Sequence, residues 1–248
     1  MLTDVNLFEG GNVFKDEKGN PLTTRISREN VVPTVQWLEK LTGLNLVDNM
    51  LGSTGYKETS GDLDLGIDAD KISKETLINQ LIKRGIEPKD IKKSGDSVHL
   101  KTPILGSTSN GYVQTDFMFG NPNWQKFSLK GSPEGSPYKG LHRQILLASI
   151  AKAQGLKWSY KNGLVDRETN EVITQDPKEI AARLIDGTPK DLDSVESILK
   201  KIKGRQDYDQ LTADAREAFG RDKLTLPESA PLPGTGAWFR QFVDMRHI

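Results

Sequence analysis

The chain contains no cysteine. That single absence excludes disulfides, thiolate zinc sites and cysteine nucleophiles. Histidine is almost as scarce: His99, His142 and His247 are scattered along the sequence. A histidine-built metal centre is therefore not expected, and any metal should be a hard cation held by carboxylates. Long apolar runs are also missing. The longest, Ile145 to Ala148, is interrupted by Ser149, whereas a membrane-crossing helix needs about 18 or more apolar residues. The opening MLTDVNLFEGGN has neither the basic nor the apolar region of a secretion signal. The expectation is a cytoplasmic protein with no membrane partner. Net charge is absent as well, since 34 Lys+Arg balance 34 Asp+Glu, which argues against a protein that coats nucleic acid.

What is present describes a polar globular protein of one large or two small domains: 248 residues, 35% hydrophobic and 27% charged. The charge is unevenly placed. Residues 139–205 carry 13 Lys+Arg against 9 Asp+Glu. The segments before and after that stretch are each mildly acidic. A mildly basic middle permits a phosphate-backbone partner without requiring one.

Periodicity divides the chain into an α+β first part and a mostly helical second part. The first 27 residues are Gly-, Asn- and charge-rich, with a turn over Asp16 to Pro21 between two short extended pieces. Val31, Val35, Leu38 and Leu41 give the spacing of an amphipathic helix from Arg28 to Thr42, with Gly43 as its stop and Pro33 within its first turns. Asn45 to Leu51 reads as a strand, and Asp62 to Ile67 as an alternating one. Ser73 can cap a helix that runs to Arg84 and ends at Gly85, and Ser97 to Thr102 and Tyr112 to Phe119 read as further strands. Lys130 to Pro137 is the densest Gly/Ser/Pro cluster, so the expected domains are 1–130 and 131–248. Beyond it a helix over Tyr138 to Gln154 is expected, followed by a small hairpin region over 156–174. Helices follow at Pro177–Ile185, Ser194–Lys203 and Tyr208–Phe219, and a Pro-rich tail ends in a short helix around Trp238-Phe239.

The informative stretch runs from Gly52-Ser53, through a polar turn containing Lys57, to Gly61-Asp62-Leu63-Asp64-Leu65-Gly66-Ile67-Asp68. On a strand, i and i+2 share a face, so Asp62 and Asp64 project side by side while Leu63, Leu65 and Ile67 face a core. Two carboxylates one pleat apart repel each other unless water screens both or a divalent cation sits between them. A bare Asp-x-Asp is usually a solvated strand face. Here a Gly-Ser turn precedes it, and Gly52 allows backbone N–H groups to approach a phosphate while Ser53 adds a hydroxyl donor.

Gly-Ser, a polar turn and Gly-Asp-Leu-Asp-Leu resemble the signature of the DNA polymerase beta nucleotidyltransferase superfamily. Ser60-Gly61-Asp62-x-Asp64 is similar to the form found in family X DNA polymerases. The resemblance implies a mixed-sheet nucleotidyltransferase palm followed by a thumb-like, mostly helical lobe. It implies a third carboxylate on a neighbouring strand, supplied by Asp116 within Gln114 to Phe119. Asp62, Asp64 and Asp116 would then be the catalytic, metal-holding residues for Mg²⁺ or Mn²⁺. Gly52, Ser53, Lys57 and Gly61 would bind the nucleotide. The implied reaction moves a nucleoside monophosphate from an NTP or dNTP to a hydroxyl, with pyrophosphate leaving. The expected acceptor is a nucleic-acid 3′ end, RNA or DNA, extended by short untemplated additions. A protein or small-molecule acceptor, or a non-catalytic palm used for binding or assembly, is the alternative. Residues 155–180 are less closely similar to the end of a polymerase thumb. The likeness also has departures: Lys57 is the only base in the turn, and Leu141 to Gln144 does not match the family's nucleotide-contacting helix start.

Other candidates rank lower. The basic cluster Lys200-Lys201-Ile202-Lys203-Gly204-Arg205 reads first as a helix C-terminus, where cations favour the dipole. Tyr138, Trp158 and Tyr160 could stack on a base but read first as core. His142 reads as an exposed or capping residue, and Gly10-Gly11-Asn12 lacks the strand–helix context of a phosphate loop.

Overall fold

The structure is a computed structural model, which describes residues 11–229; the expected helix at Trp238-Phe239 lies outside that range, as do Gly10 and His247. The described chain divides into two compact units, residues 11–135 and 136–229. The division lies after Gly135, inside the Gly/Ser/Pro cluster and beyond the Lys130 boundary read from sequence. Both units contain helices and strands, and the class is α+β. Among the described residues no helix is long and apolar enough to cross a membrane.

In the first unit, β1 (Ile26–Ser27) leads into α1 (Arg28–Thr42), which ends at Gly43 in the left-handed conformation. Its Val31, Val35 and Leu38 are fully buried, so the spacing seen in sequence is the spacing of the core face. Then come β2 (Thr59–Ser60), antiparallel to β1, and β3 (Asp62–Asp68). α2 (Lys74–Lys83) starts at Ser73, whose hydroxyl accepts from the Thr76 N–H. β4 (Ile91–Ser94), β5 (Ser97–Pro103), β6 (Tyr112–Gly120) and α3 (Pro122–Ser128) complete the unit.

The four-stranded sheet has the order β3-β6-β5-β4. β3 and β6 run parallel and the other pairs antiparallel, so the sheet is mixed. Leu63, Leu65, Val98, Leu100 and Phe117 on one face are fully buried in a cluster with the apolar sides of α1 and α2. The opposite face carries Asp62, Asp64 and Asp116.

One expected strand is absent. Asn45 to Leu51 forms a 3-10 turn at Val47–Asn49, with a single bridge from Met50 to Leu65. Polar side chains captured its backbone: Glu39 Oε2 accepts from the Leu46 and Val47 N–H groups, and Asn49 Nδ2 donates to the Asn45 carbonyl.

The second unit is built around α4 (Gly140–Ala153), buried almost continuously from His142 to Ala151. It is followed by the antiparallel sheet of β7 (Leu156–Ser159), β8 (Gly163–Asp166) and β9 (Val172–Thr174). α5 (Pro177–Ile185), α6 (Val195–Ile202) and α7 (Tyr208–Arg221) follow. Ser149 Oγ on α4 donates to the Leu211 carbonyl and accepts from the Ala215 N–H, which locks α4 against α7. Arg143 is buried on α4 and donates through Nε to the Leu192 carbonyl.

Candidate metal centre

Register brings the acids together. In the parallel pair, Asp64 lies abreast of Asp116 and Asp62 abreast of Gln114, so alternation places all three carboxylates on one face. One oxygen from each lies within 4.8 Å of the others. Asp116 is fully buried. Burial, and next the charge of Asp116, push the Asp62 carboxyl up to about 6, while the Arg25 guanidinium acts in the opposite direction. Burial, and then Asp62 and Asp116, push the Asp64 carboxyl well above the usual carboxylate range.

The hydrogen bonds around the cluster are one-sided. Asp116 Oδ1 accepts from His99 Nδ1 at 2.7 Å and from Gln114 Nε2 at 3.0 Å. Asp116 Oδ2 and Asp64 Oδ1 are buried with no hydrogen-bond partner. An unmatched buried acceptor costs about 1–3 kcal/mol, so these two oxygens call for a cation, a proton or an ordered water. The donor set of three carboxylates suits a hard divalent ion such as Mg²⁺ or Mn²⁺.

The Gly-Ser turn is clamped to the same strand. The Leu51 N–H donates to the Asp64 carbonyl at 2.8 Å, and the Asp64 N–H donates to Thr54 Oγ1 at 3.0 Å. Gly52 has φ +59°, and a Cβ there would stand 3.5 Å from Asp64 Oδ2. Gly52 also bridges Lys130, and a Cβ on Gly131 would lie 2.5 Å from the Gly52 carbonyl oxygen. Gly52 and Ser53 are thus seated beside Asp64. The turn begins from the 3-10 segment and the Met50 bridge, not from the expected strand.

Gly61 is exposed next to Asp62, beneath the guanidinium of Arg25, whose Nε and Nη2 donate to Thr59 Oγ1 and the Thr59 carbonyl. Lys57 lies in the bend before β2, where its carbonyl accepts from Arg28 Nε; among the described contacts none ties its ammonium to the carboxylates. Sequence reasoning missed Arg25, His99 and Gln114. Gln114 was legible, because it shares the face of Asp116 two residues away. Arg25 and His99 reach the site through pairings that no local pattern announces.

Four of the remaining candidates, Trp158, Tyr138, His142 and Arg205, have structural partners. The indole N–H of buried Trp158 donates to Gln144 Oε1, and the Tyr138 hydroxyl donates to the Thr225 carbonyl while its ring tilts against Phe219. His142 is buried at the start of α4. Its Nδ1 accepts from the Lys139 N–H, so Nε2 carries the proton and donates to Asp222. Arg205 forms two 2.8 Å bonds to Asp207.

Comparison with known proteins adds no family: no family model matches the chain, and no curated protein matches it.

Proposed function

We propose that this chain is a metal-dependent nucleotidyltransferase that moves a nucleoside monophosphate from a nucleoside triphosphate to a hydroxyl acceptor, a nucleic-acid 3′ end. The observation that carries the reading is the three-carboxylate cluster on adjacent parallel strands with a Gly-Ser turn seated against its middle member. The crowded, mutually repelling acids favour catalysis over a palm kept only for assembly, because they destabilise a protein that has no cation to place between them.

Asp62, Asp64 and Asp116 would hold the metal. When bound, Mg²⁺ or Mn²⁺ supplies charge neutralisation at the attacking and leaving oxygens. Gly52 and Ser53 bind the triphosphate through backbone N–H groups and a hydroxyl, with Lys57 and Gly61 along the same turn. Asp116 orients the acceptor hydroxyl and receives its proton. The acceptor oxygen bonds to the α-phosphorus, the bond to the bridging oxygen breaks, and pyrophosphate leaves.

Incubation with each labelled triphosphate, Mg²⁺ and separate pools of RNA, DNA, tRNA, protein and small hydroxyl acceptors tests the reading. Label is expected in a nucleic-acid pool, and the double variant Asp62→Ala, Asp64→Ala should lower incorporation by orders of magnitude. Incorporation unchanged in that variant removes the assignment. Label in protein or in a small molecule keeps the chemistry and changes the acceptor.

A further inference from the structure

We propose that His99 is a positioning residue for the metal centre: together with Gln114 it occupies Asp116 Oδ1 and so leaves Oδ2 as the one oxygen that Asp116 can offer a cation. The proposal rests on the metal-centre reading above and extends it to a residue outside the acidic motif.

His99 and Asp116 are directly abreast in the antiparallel β5–β6 pair, and both are buried. Nδ1 of His99 stands 2.7 Å from Asp116 Oδ1, and Nε2 stands 2.7 Å from Ser94 Oγ on β4. A carboxylate oxygen only accepts, so Nδ1 donates to Asp116, while Nε2 shares a hydrogen bond with the Ser94 hydroxyl. Ser94 thereby holds the ring from behind with Nδ1 aimed at Asp116. The second donor is fixed in the same way. The Val13 N–H donates to Gln114 Oε1 at 2.9 Å, which turns Gln114 Nε2 toward Asp116 Oδ1. Two donors, each oriented from behind, fill one oxygen of a buried carboxylate whose other oxygen has no partner. Partners of this kind hold a ligating carboxylate in a single orientation, and their loss weakens metal binding about 10–100-fold.

Two substitutions separate the halves of the arrangement. His99→Asn places an amide nitrogen near the position of Nδ1 and keeps the bond to Asp116. His99→Gln reaches toward the position of Nε2, keeps the contact with Ser94 and loses the bond to Asp116. Mn²⁺ affinity is measured without nucleotide, from the electron paramagnetic resonance signal of the free ion, alongside thermal unfolding of the metal-free protein. Asp64→Asn is the control for the centre itself. The expected result is a roughly tenfold loss of Mn²⁺ affinity in His99→Gln, with His99→Asn staying within about threefold of the unaltered protein. Gln114→Leu, which removes the other donor, should weaken binding in the same direction. Equal Mn²⁺ affinity in the Asn and Gln variants, with Asp64→Asn still weakened, overturns the role of His99 and leaves the metal centre standing. No Mn²⁺ binding by the unaltered protein, or none lost in Asp64→Asn, overturns both.

Discussion

Asp62 shows how strongly one residue can register the chemistry of its surroundings. Its carboxyl is raised from an ordinary 3.8 to about 6, by burial first and by Asp116 second. A carboxyl that holds its proton more tightly when folded stabilises the fold fully below the unfolded value near 4, and that contribution is lost as the pH rises through about 6. At about 1.4 kcal/mol per unit the shift corresponds to at most about 3 kcal/mol, less whatever water screens at a half-buried group. Metal-free protein should therefore melt at a lower temperature at pH 7.5 than at pH 5. Asp62→Asn should narrow that difference and raise the midpoint at pH 7.5 by a few degrees, on the order of 2–4 °C per kcal/mol. Mg²⁺ should have the opposite pH profile, stabilising most where the carboxylates are ionised. Differential scanning calorimetry at the two pH values, with and without Mg²⁺, reads both effects. A melting temperature that is independent of pH in this range, or unaltered by Asp62→Asn, would remove the repulsive site as their cause.

At the scale of elements, legibility followed the source of each element's stability. α1 was readable to the residue because Val31, Val35 and Leu38 bury on one stripe and Gly43 takes the left-handed turn that ends it. β3 was readable because its leucines alternate with its acids. β4 was not, since Ile-Lys-Lys-Ser at a sheet edge has one half-buried residue and no alternation. α3 did leave a signal, an Asn121 cap with Pro122 in the first turn, that was passed over. Asp62, Asp64 and the Gly-Ser turn lay in one short stretch and could be read there, and Asp116 was reached through the resemblance, whereas Arg25 and His99 depend on strand pairings settled by tertiary packing. Gly131 belongs to that second group. The space a side chain would need there is filled by Gly52 backbone: a Cβ on Gly131 would stand 2.5 Å from the Gly52 carbonyl oxygen and 2.6 Å from its carbon. Neither group is a flexible side-chain end. Gly131→Ala should therefore displace the Gly52–Ser53 turn, weaken triphosphate binding by about tenfold (on the order of 1.4 kcal/mol) and leave metal-only Mn²⁺ affinity close to that of the unaltered protein. Isothermal titration with a non-hydrolysable triphosphate measures the first and the Mn²⁺ titration the second. Unchanged triphosphate affinity would detach the turn from the substrate.

For the molecule as a whole, charge is distributed rather than accumulated. Residues 139–205 hold the excess of cations within a chain that is neutral in total. Lys200, Lys201 and Lys203 are exposed at the end of α6, whereas Arg205 is engaged by Asp207. If the acceptor is a single strand contacting these lysines, its affinity should fall with salt at a slope of roughly −0.7 per phosphate contact. Replacing all three with Gln should flatten that slope by about 2. A slope unaltered by the triple replacement would place the acceptor elsewhere. The parallel pair at the centre of the first unit has another consequence, for how the chain folds. β3 and β6 are separated in sequence by α2, β4 and β5, so their pairing closes a long loop, and such long-range pairings are slow. The register that sets Asp64 beside Asp116 also sets two like charges against each other at that step. Asp64→Asn at pH 7.5 should accordingly accelerate refolding followed by stopped-flow fluorescence. Refolding rates that match the unaltered protein at pH 7.5 would show that the pair closes only after the barrier, leaving its repulsion to hasten unfolding instead.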